Sequence, residues 1–199
     1  MPRPQIEFWF EFASTYSYLT AMRIEEMAGA AGVDVSWQPL WLGPIFKAQG
    51  WDSSPFNLYP AKGQYMWRDM ERLAASRGLP FQRPDPFPQN SLLANRTACL
   101  AVRHAGGPAF VKSVYSAEFG AGADISDPSV IAGLLAQAGL PETLVQEAGG
   151  DDAKGALKSQ VETAMAKGIF GAPSFVVGEE VFWGDDRLEQ ALDWARSHA

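Results

Sequence analysis

The sequence predicts an α/β fold in which the two ends of the chain build one sheet and a large all-helical insertion separates them. Three observations predict it. Apolar residues alternate in IEFWFEF (residues 6–12) and again in VDVSWQPL (residues 33–40), with a helical stretch between. From about residue 42 to 165 the patterns are helical throughout. After Gly171 two short apolar runs and one amphipathic stretch close the chain.

In the first run Ile6, Phe8, Phe10 and Phe12 fall on one side, and Glu7, Trp9 and Glu11 on the other. That is the period of a strand. Residues 15–31, rich in Ala, Met, Leu and Glu, read as one helix stopped at Gly32. Val33, Val35 and Trp37 give a second strand, limited by Pro39. The opening is therefore β-α-β, and a right-handed crossover makes its strands parallel.

In the insertion, YPAKGQYMWRDMERLAASRG aligns Met66, Met70 and Leu73 and closes at Gly78. LPFQRPDPFPQN is a proline-rich irregular segment, and SLLANRTACLAVRHAG is a helix opened by Asn90 or Ser91. PAFVKSVYSAEFGAG spaces Phe110, Val114 and Tyr115 for burial. DPSVIAGLLAQAG has an Asp127 cap and Pro128 in the first turn. Shorter helices around 141–148 and 151–168 complete the block.

At the end, residues 174–177 and 181–183 flank Gly178-Glu179, a hairpin with glycine first in its turn. Asp186 with Glu189 three residues on fits a capping box, and Leu188, Ala191, Leu192 and Ala195 form one helical face. A β-α-β front and a β-β-α back are the two halves of a thioredoxin fold. The expected organisation is a discontinuous thioredoxin-like domain over residues 1–45 and 166–199, interrupted by a helical insertion subdomain over residues 46–165.

Composition removes several function classes. The 199 residues suffice for one sizeable core carrying an insertion. Net charge is −7 with no basic stripe, which argues against a nucleic-acid partner. The single cysteine, Cys99, leaves no internal disulfide, CxxC motif or zinc cluster, so an oxidoreductase working through its own dithiol is excluded. Two histidines, His104 and His198, argue against a histidine metal site or a Ser-His-Asp triad, and no metal is expected. With no apolar run long enough for a bilayer and no secretory h-region, the expectation is a soluble, cytoplasmic protein with no membrane partner.

The strand-to-helix junction reads Ser14-Thr15-Tyr16-Ser17, where redox proteins of this build carry two cysteines. Ser14 is placed to cap the helix. It is equally placed to donate a hydrogen bond to the thiolate of a bound cofactor, since the chain supplies no second cysteine. A cysteine-type thiol has a pKa near 8.5, and lowering it by about two units takes roughly 2.7 kcal/mol. One charged hydrogen bond supplies about 1.5–3 kcal/mol and a helix end about 0.3–1 kcal/mol more. Ser17, one turn on, either supports the same site or faces solvent.

Pro173, in Gly171-Ala172-Pro173-Ser174, occupies the loop before the third strand, where a thioredoxin fold carries a cis-proline. Ala172 would then offer main-chain groups to a peptide-like ligand. Trp183-Gly184-Asp185-Asp186 opens the last helix, either as a cap or as a holder of a zwitterionic ligand end, with an ammonium drawn to Asp185 or Asp186. Lys47, Asn57, Lys62, Asn90 and Arg96 fall where the insertion should meet the active face. Each is also consistent with a solvated charge or a cap.

The segments FWFEFASTYSYL, WQPLWLGPIFKAQGW, NLYPAKGQYMWRDMERLA, FPQNSLLANRTA, GIFGAPSFVV and VFWGDDRLEQAL, in this order, resemble the 2-hydroxychromene-2-carboxylate isomerases nearly end to end. These are glutathione-dependent members of the DsbA-like group, related to kappa-class glutathione transferases. The resemblance implies a DsbA-like thioredoxin fold and glutathione as cofactor. It implies Ser14 as the catalytic residue that holds the glutathione sulfur. Ala172 and Pro173 would bind the cysteinyl part, and Trp183, Gly184, Asp185 and Asp186 the γ-glutamyl end. Lys47, Asn57, Leu58 and Asn90 would contact substrate.

The implied reaction interconverts 2-hydroxychromene-2-carboxylate and trans-o-hydroxybenzylidenepyruvate, or a related aromatic acid, by reversible thiolate addition. A homodimer is common in the family. Two departures stand out: the family often has Ser-Pro where this chain has Ser14-Thr15, and Asn where it has Asp185. A kappa-like glutathione transferase or peroxidase, and a non-catalytic DsbA-like binding protein, remain the alternatives.

Overall fold

The computed structural model describes residues 3–198. Positions 1, 2 and 199, the outermost of the expected thioredoxin-like segments, lie outside the described residues. Four strands form one sheet in the order β2-β1-β3-β4: β1 (Gln5–Phe10), β2 (Asp34–Pro39), β3 (Ser174–Val177) and β4 (Glu180–Trp183). β1 pairs with β2 in parallel, and the β1–β3 and β3–β4 pairs are antiparallel. This is the thioredoxin arrangement, with the helical insertion of the DsbA-like fold between β2 and β3.

Being central, β1 is covered on both faces. Phe8 and Phe10 join Phe12, Trp37, Tyr115 and Phe175 in the main core, with ring pairs such as Phe8–Trp37 at 5.1 Å and Phe12–Tyr115 at 5.0 Å. Trp9, which the alternation puts with Glu7 and Glu11, is 1% exposed and packs on the opposite face with Leu42, Ile45, Val161 and Val176. Each such side chain taken from water contributes about 1.5–3 kcal/mol, so covering both faces doubles what one strand gives the core.

The single helix expected over residues 15–31 is two, α1 (Thr15–Ala21) and α2 (Ile24–Ala31). Arg23 breaks the run at φ −126°, and its side chain leaves the helix to bond Asp185. Gly32, at φ 68°, stops α2 as expected. The insertion contains α3 (Leu42–Ala48), α4 (Pro55–Leu58), α5 (Pro60–Ser76), α6 (Leu92–Ala101), α7 (Gly107–Tyr115), α8 (Pro128–Gln137), α9 (Leu144–Glu147) and α10 (Asp151–Ala166). α7 continues into a π-helical turn, Ser116–Gly120. Asp127 caps α8 by accepting the Ser129 N–H at 2.7 Å, with Pro128 in the first turn.

The hairpin turns on Gly178 at φ 61°, and α11 (Leu188–Ser197) buries Leu188, Ala191, Leu192 and Ala195. The expected Asp186–Glu189 capping box does not form. A 3₁₀ turn, Asp185–Arg187, precedes α11; Asp186 pairs with its neighbour Arg187 at 3.1 Å, and Glu189 reaches Arg23 at 2.5 Å. No described helix is long and apolar enough to cross a membrane.

Candidate active site

Strand register assembles the site. Opposite β1, Trp9 pairs with Ser174, so the loop that leaves β1 faces the residues that precede β3. Ser174 in turn pairs with Trp183, which brings the end of β4 to the same place. Ser14 is the N-cap of α1: its Oγ accepts the Ser17 N–H at 3.3 Å and donates to the Ala172 carbonyl at 2.8 Å. The Ala172–Pro173 bond is cis, as the fold required.

Gly184 donates its N–H to the Pro173 carbonyl at 2.9 Å from a backbone at φ 112° that glycine favours. Trp183 is 53% exposed and lies against Gly171, where a Cβ would come within 2.6 Å of the indole Nε1. Ser14, Ala172, Pro173, Trp183 and Gly184 thus form one cluster, although 158 residues separate the Ser14–Ala172 pair.

Asp185 joins this cluster with its main chain but not with its carboxylate. The side chain is 5% exposed and already fully engaged. Arg77 bonds it through two nitrogens, at 2.6 and 3.2 Å, while Arg23 Nε lies at 3.3 Å and the Thr20 hydroxyl donates at 2.9 Å. Arg23 also donates to the Asp185 carbonyl at 2.6 Å. The expectation that this carboxylate could receive a ligand ammonium is corrected: two guanidiniums occupy it. Asp186, exposed and paired among the described residues with adjacent Arg187 alone, is the carboxylate that reaches solvent.

The predicted substrate-side residues are more scattered. Lys47 is exposed in the last turn of α3, and Leu58, 36% exposed, ends α4. Asn57 donates to the Ser53 hydroxyl and to the Phe87 carbonyl, both at 3.3 Å, tying α4 to the proline-rich segment. Asn90 is exposed and accepts the Leu92 N–H at 3.2 Å, while Ser91 stands at the N-cap of α6. Lys62 lies 5.6 Å over the Tyr59 ring. Arg96 is half-buried and its Nε has no partner among the described residues. Ser17 faces inward with no exposed surface, which removes the solvent-facing reading, and its hydroxyl lies toward Tyr115; the hydroxyl of buried Thr15 has no partner among the described residues.

Sequence reading missed the polar groups behind the serine loop. Glu11 is 3% exposed and accepts four hydrogen bonds. Burial pushes its pKa up, against the opposing pull of those donors. Tyr115 donates its hydroxyl to the Glu11 carbonyl at 2.8 Å. The available signal was the sequence FWFEF: a carboxylate set among four aromatics at the end of a central strand cannot easily reach water. Cys99 is buried in α6, and burial pushes its thiol to about 12, so the one sulfhydryl is unreactive at neutral pH.

The cluster fits glutathione. The Ser14 hydroxyl is a donor suited to a sulfur, and the Ala172 N–H has no hydrogen bond among the described residues, leaving it available to a peptide-like ligand. The backbone of Trp183–Gly184 lies alongside.

The sequence matches the family model of the DSBA-like thioredoxin domain over residues 5–194. It is 29% identical over 187 residues to a 2-hydroxychromene-2-carboxylate isomerase from Sphingobium xenophagum, covering 92% of this chain and 94% of that protein. It is 21% identical over 211 residues to glutathione s-transferase kappa 2 of Caenorhabditis elegans, covering 96% and 92%. Among solved structures, a 2-hydroxychromene-2-carboxylate isomerase superposes with a TM-score of 0.86 at 25% identity, over 97% of this chain and 94% of that one.

Proposed function

The chain belongs to the DsbA-like thioredoxin domain family, and from that premise we propose that it is a glutathione-dependent cis-trans isomerase acting on 2-hydroxychromene-2-carboxylate or a related aromatic acid. One observation carries the reading: the Ser14 hydroxyl, at the N-cap of α1, lies 2.8 Å from the carbonyl oxygen of Ala172, the residue before a cis-proline. The similarity to the isomerase from Sphingobium xenophagum supports the reaction type, and that to the kappa transferase supports the cofactor.

Glutathione, when bound, supplies a thiolate that adds reversibly to a conjugated double bond, allowing rotation before it leaves. The chain's own residues do the rest. Ser14 turns its proton from the Ala172 carbonyl toward the sulfur and keeps it ionised; it acts as a donor and not as a nucleophile. One such bond to a charged acceptor is worth about 1.5–3 kcal/mol, a pKa decrease of about one to two units. Ala172 offers its unpaired N–H to the cysteinyl main chain. Trp183, Gly184 and the main chain of Asp185 line the γ-glutamyl end, and Asp186 meets its ammonium. Lys47 holds the substrate carboxylate, with Asn57, Leu58 and Asn90 along its aromatic ring and oxygens. The unreactive, lone Cys99 agrees with a cytoplasmic enzyme that takes its sulfur from outside the chain.

Ser14→Ala tests the reading. Turnover of trans-o-hydroxybenzylidenepyruvate should fall about 100-fold or more, the loss expected for one transition-state donor, while the melting temperature stays close to wild type. Unchanged turnover rejects the assignment. If wild type binds glutathione and turns over only other electrophiles in a substrate panel, the kappa-like transferase or peroxidase reading replaces it. If calorimetry finds no glutathione binding, a non-catalytic DsbA-like binding protein does.

A further inference from the structure

Glu11 follows β1 and stands three residues before Ser14, inside the protein; its hydrogen-bond donors are all uncharged, no Lys or Arg pairs with it among the described residues, and the buried acid Glu118 senses its charge. Its Oε1 accepts the Ala13 N–H at 3.4 Å and the Asn95 side-chain amide at 2.7 Å, and forms a short contact with the Ser91 hydroxyl. Its Oε2 accepts the Leu42 N–H at 2.8 Å. These four donors come from three segments. Ala13 adjoins Ser14; Leu42 opens α3, which carries Lys47; Ser91 and Asn95 open α6 beside Asn90. We propose that Glu11 is a positioning residue, its carboxylate pinning the serine loop and the starts of α3 and α6 into one wall of the active site. The inference rests on the thiolate-binding assignment of Ser14.

Chemistry explains why this position needs a glutamate. The β1–β2 ladder ends where Leu40 donates to the Phe10 carbonyl, so past that point main-chain pairing no longer holds the two loops together. The buried Leu42 N–H requires an acceptor, and the half-buried Ala13 N–H of the serine loop takes the same carboxylate. The two oxygens of one carboxylate serve both loops at once and still have lone pairs for Ser91 and Asn95. Glutamine supplies one acceptor oxygen and turns an NH₂ group against one of the two N–H donors. Burying a carboxylate without a cation is unfavourable for stability on its own. Here the return is geometric: the donor hydroxyl and the substrate-side segments share one anchor.

The test compares wild type, Glu11→Gln and Ser91→Ala by three measurements: isomerase kcat, glutathione Kd and stoichiometry by calorimetry, and hydrogen exchange at the Leu42 amide. In Glu11→Gln, kcat should fall about 10- to 100-fold, the loss expected when reacting groups are misplaced by about an ångström. Stoichiometry should stay at one glutathione per chain and Kd should weaken by no more than about fivefold, through the displaced Ser14 hydroxyl alone, because the Ala172 and Gly184 main chains do not depend on Glu11; Leu42 exchange should rise about tenfold or more. A folded variant with wild-type kcat overturns the proposal, and so does one whose binding stoichiometry falls in step with kcat, which marks general unfolding. If Glu11→Gln does not fold, Ser91→Ala decides: it removes one donor only and should lower kcat about three- to tenfold at unchanged Kd. Unchanged kcat there overturns the proposal. Wild type that binds no glutathione overturns the Ser14 assignment itself, a distinct failure visible before any variant is made.

Discussion

Glu118, on the π-helical turn after α7, has no exposed surface, and neither carboxyl oxygen has a hydrogen-bond partner among the described residues. Burial holds its pKa well above the ordinary carboxylate value of 4.5, and the charge of Glu11 raises it further. The folded chain therefore keeps a proton that the unfolded chain gives up once pH passes about 4.5. Stability falls as pH rises through that window, by at most about 1.4 kcal/mol per pH unit for one proton. Glu118→Gln removes the term, so its stability relative to wild type should increase from pH 4 toward neutrality in parallel urea titrations; a difference that is flat with pH rejects this. Nothing local in SAEFG announces a buried acid. Ser14, by contrast, was legible, because a strand running into a helix defines its position from neighbouring residues alone. Asp185 lay between these cases: its place in the loop could be read, but its carboxylate is claimed by Arg77, 108 positions away, and by Arg23, 162 away.

Element boundaries follow the same division. Gly32 and Asp127 ended and began helices as read, because caps are local chemistry. The division of residues 15–31 at Arg23, and the loss of the Asp186–Glu189 box, both coincide with one ion cluster that engages the Arg23 and Glu189 side chains, leaving the Glu189 carboxylate on Arg23 instead of at the start of its own helix. Gly184 shows what such a boundary contributes to the site. Its φ of 112° lets the chain turn from β4 into the 3₁₀ turn while its N–H holds Pro173. An added Cβ would also come within 2.6 Å of the Asp186 carboxylate. Gly184→Ala should cost about 1–3 kcal/mol of stability and weaken glutathione binding about fivefold or more, since the turn must shift. Chemical denaturation and calorimetry read the two effects separately; glutathione binding at wild-type strength would show that the turn takes no part in it.

Across the whole molecule, the β-α-β and β-β-α halves were readable because each is a run of local periodicities, and their order alone specifies the sheet. How the insertion docks was not readable, because long-range side chains decide it. Arg77 is the residue just past the end of α5, in the insertion, yet its guanidinium grips Asp185 in the C-terminal turn, which Arg23 and Thr20 hold from the α1–α2 side. One carboxylate therefore joins three parts of the chain, directly behind the Gly184 main chain. A buried ion pair of this kind need not add net stability over an apolar substitute, but breaking one partner leaves the other uncompensated. A double-mutant cycle of Arg77→Met and Asp185→Asn separates these possibilities. Asp185→Asn alone should be the more damaging, at about 3 kcal/mol, because it deprives two arginines at once. The coupling between the two positions should be about 1–3 kcal/mol, measured from urea midpoints of the four proteins. Additivity within about 0.5 kcal/mol would mean that the insertion is held by its apolar contacts alone. Coupling in the expected range would make Arg77 the strut through which the insertion and the proposed glutathione turn keep a fixed relation, and would account for an aspartate where the resembling isomerases often carry asparagine.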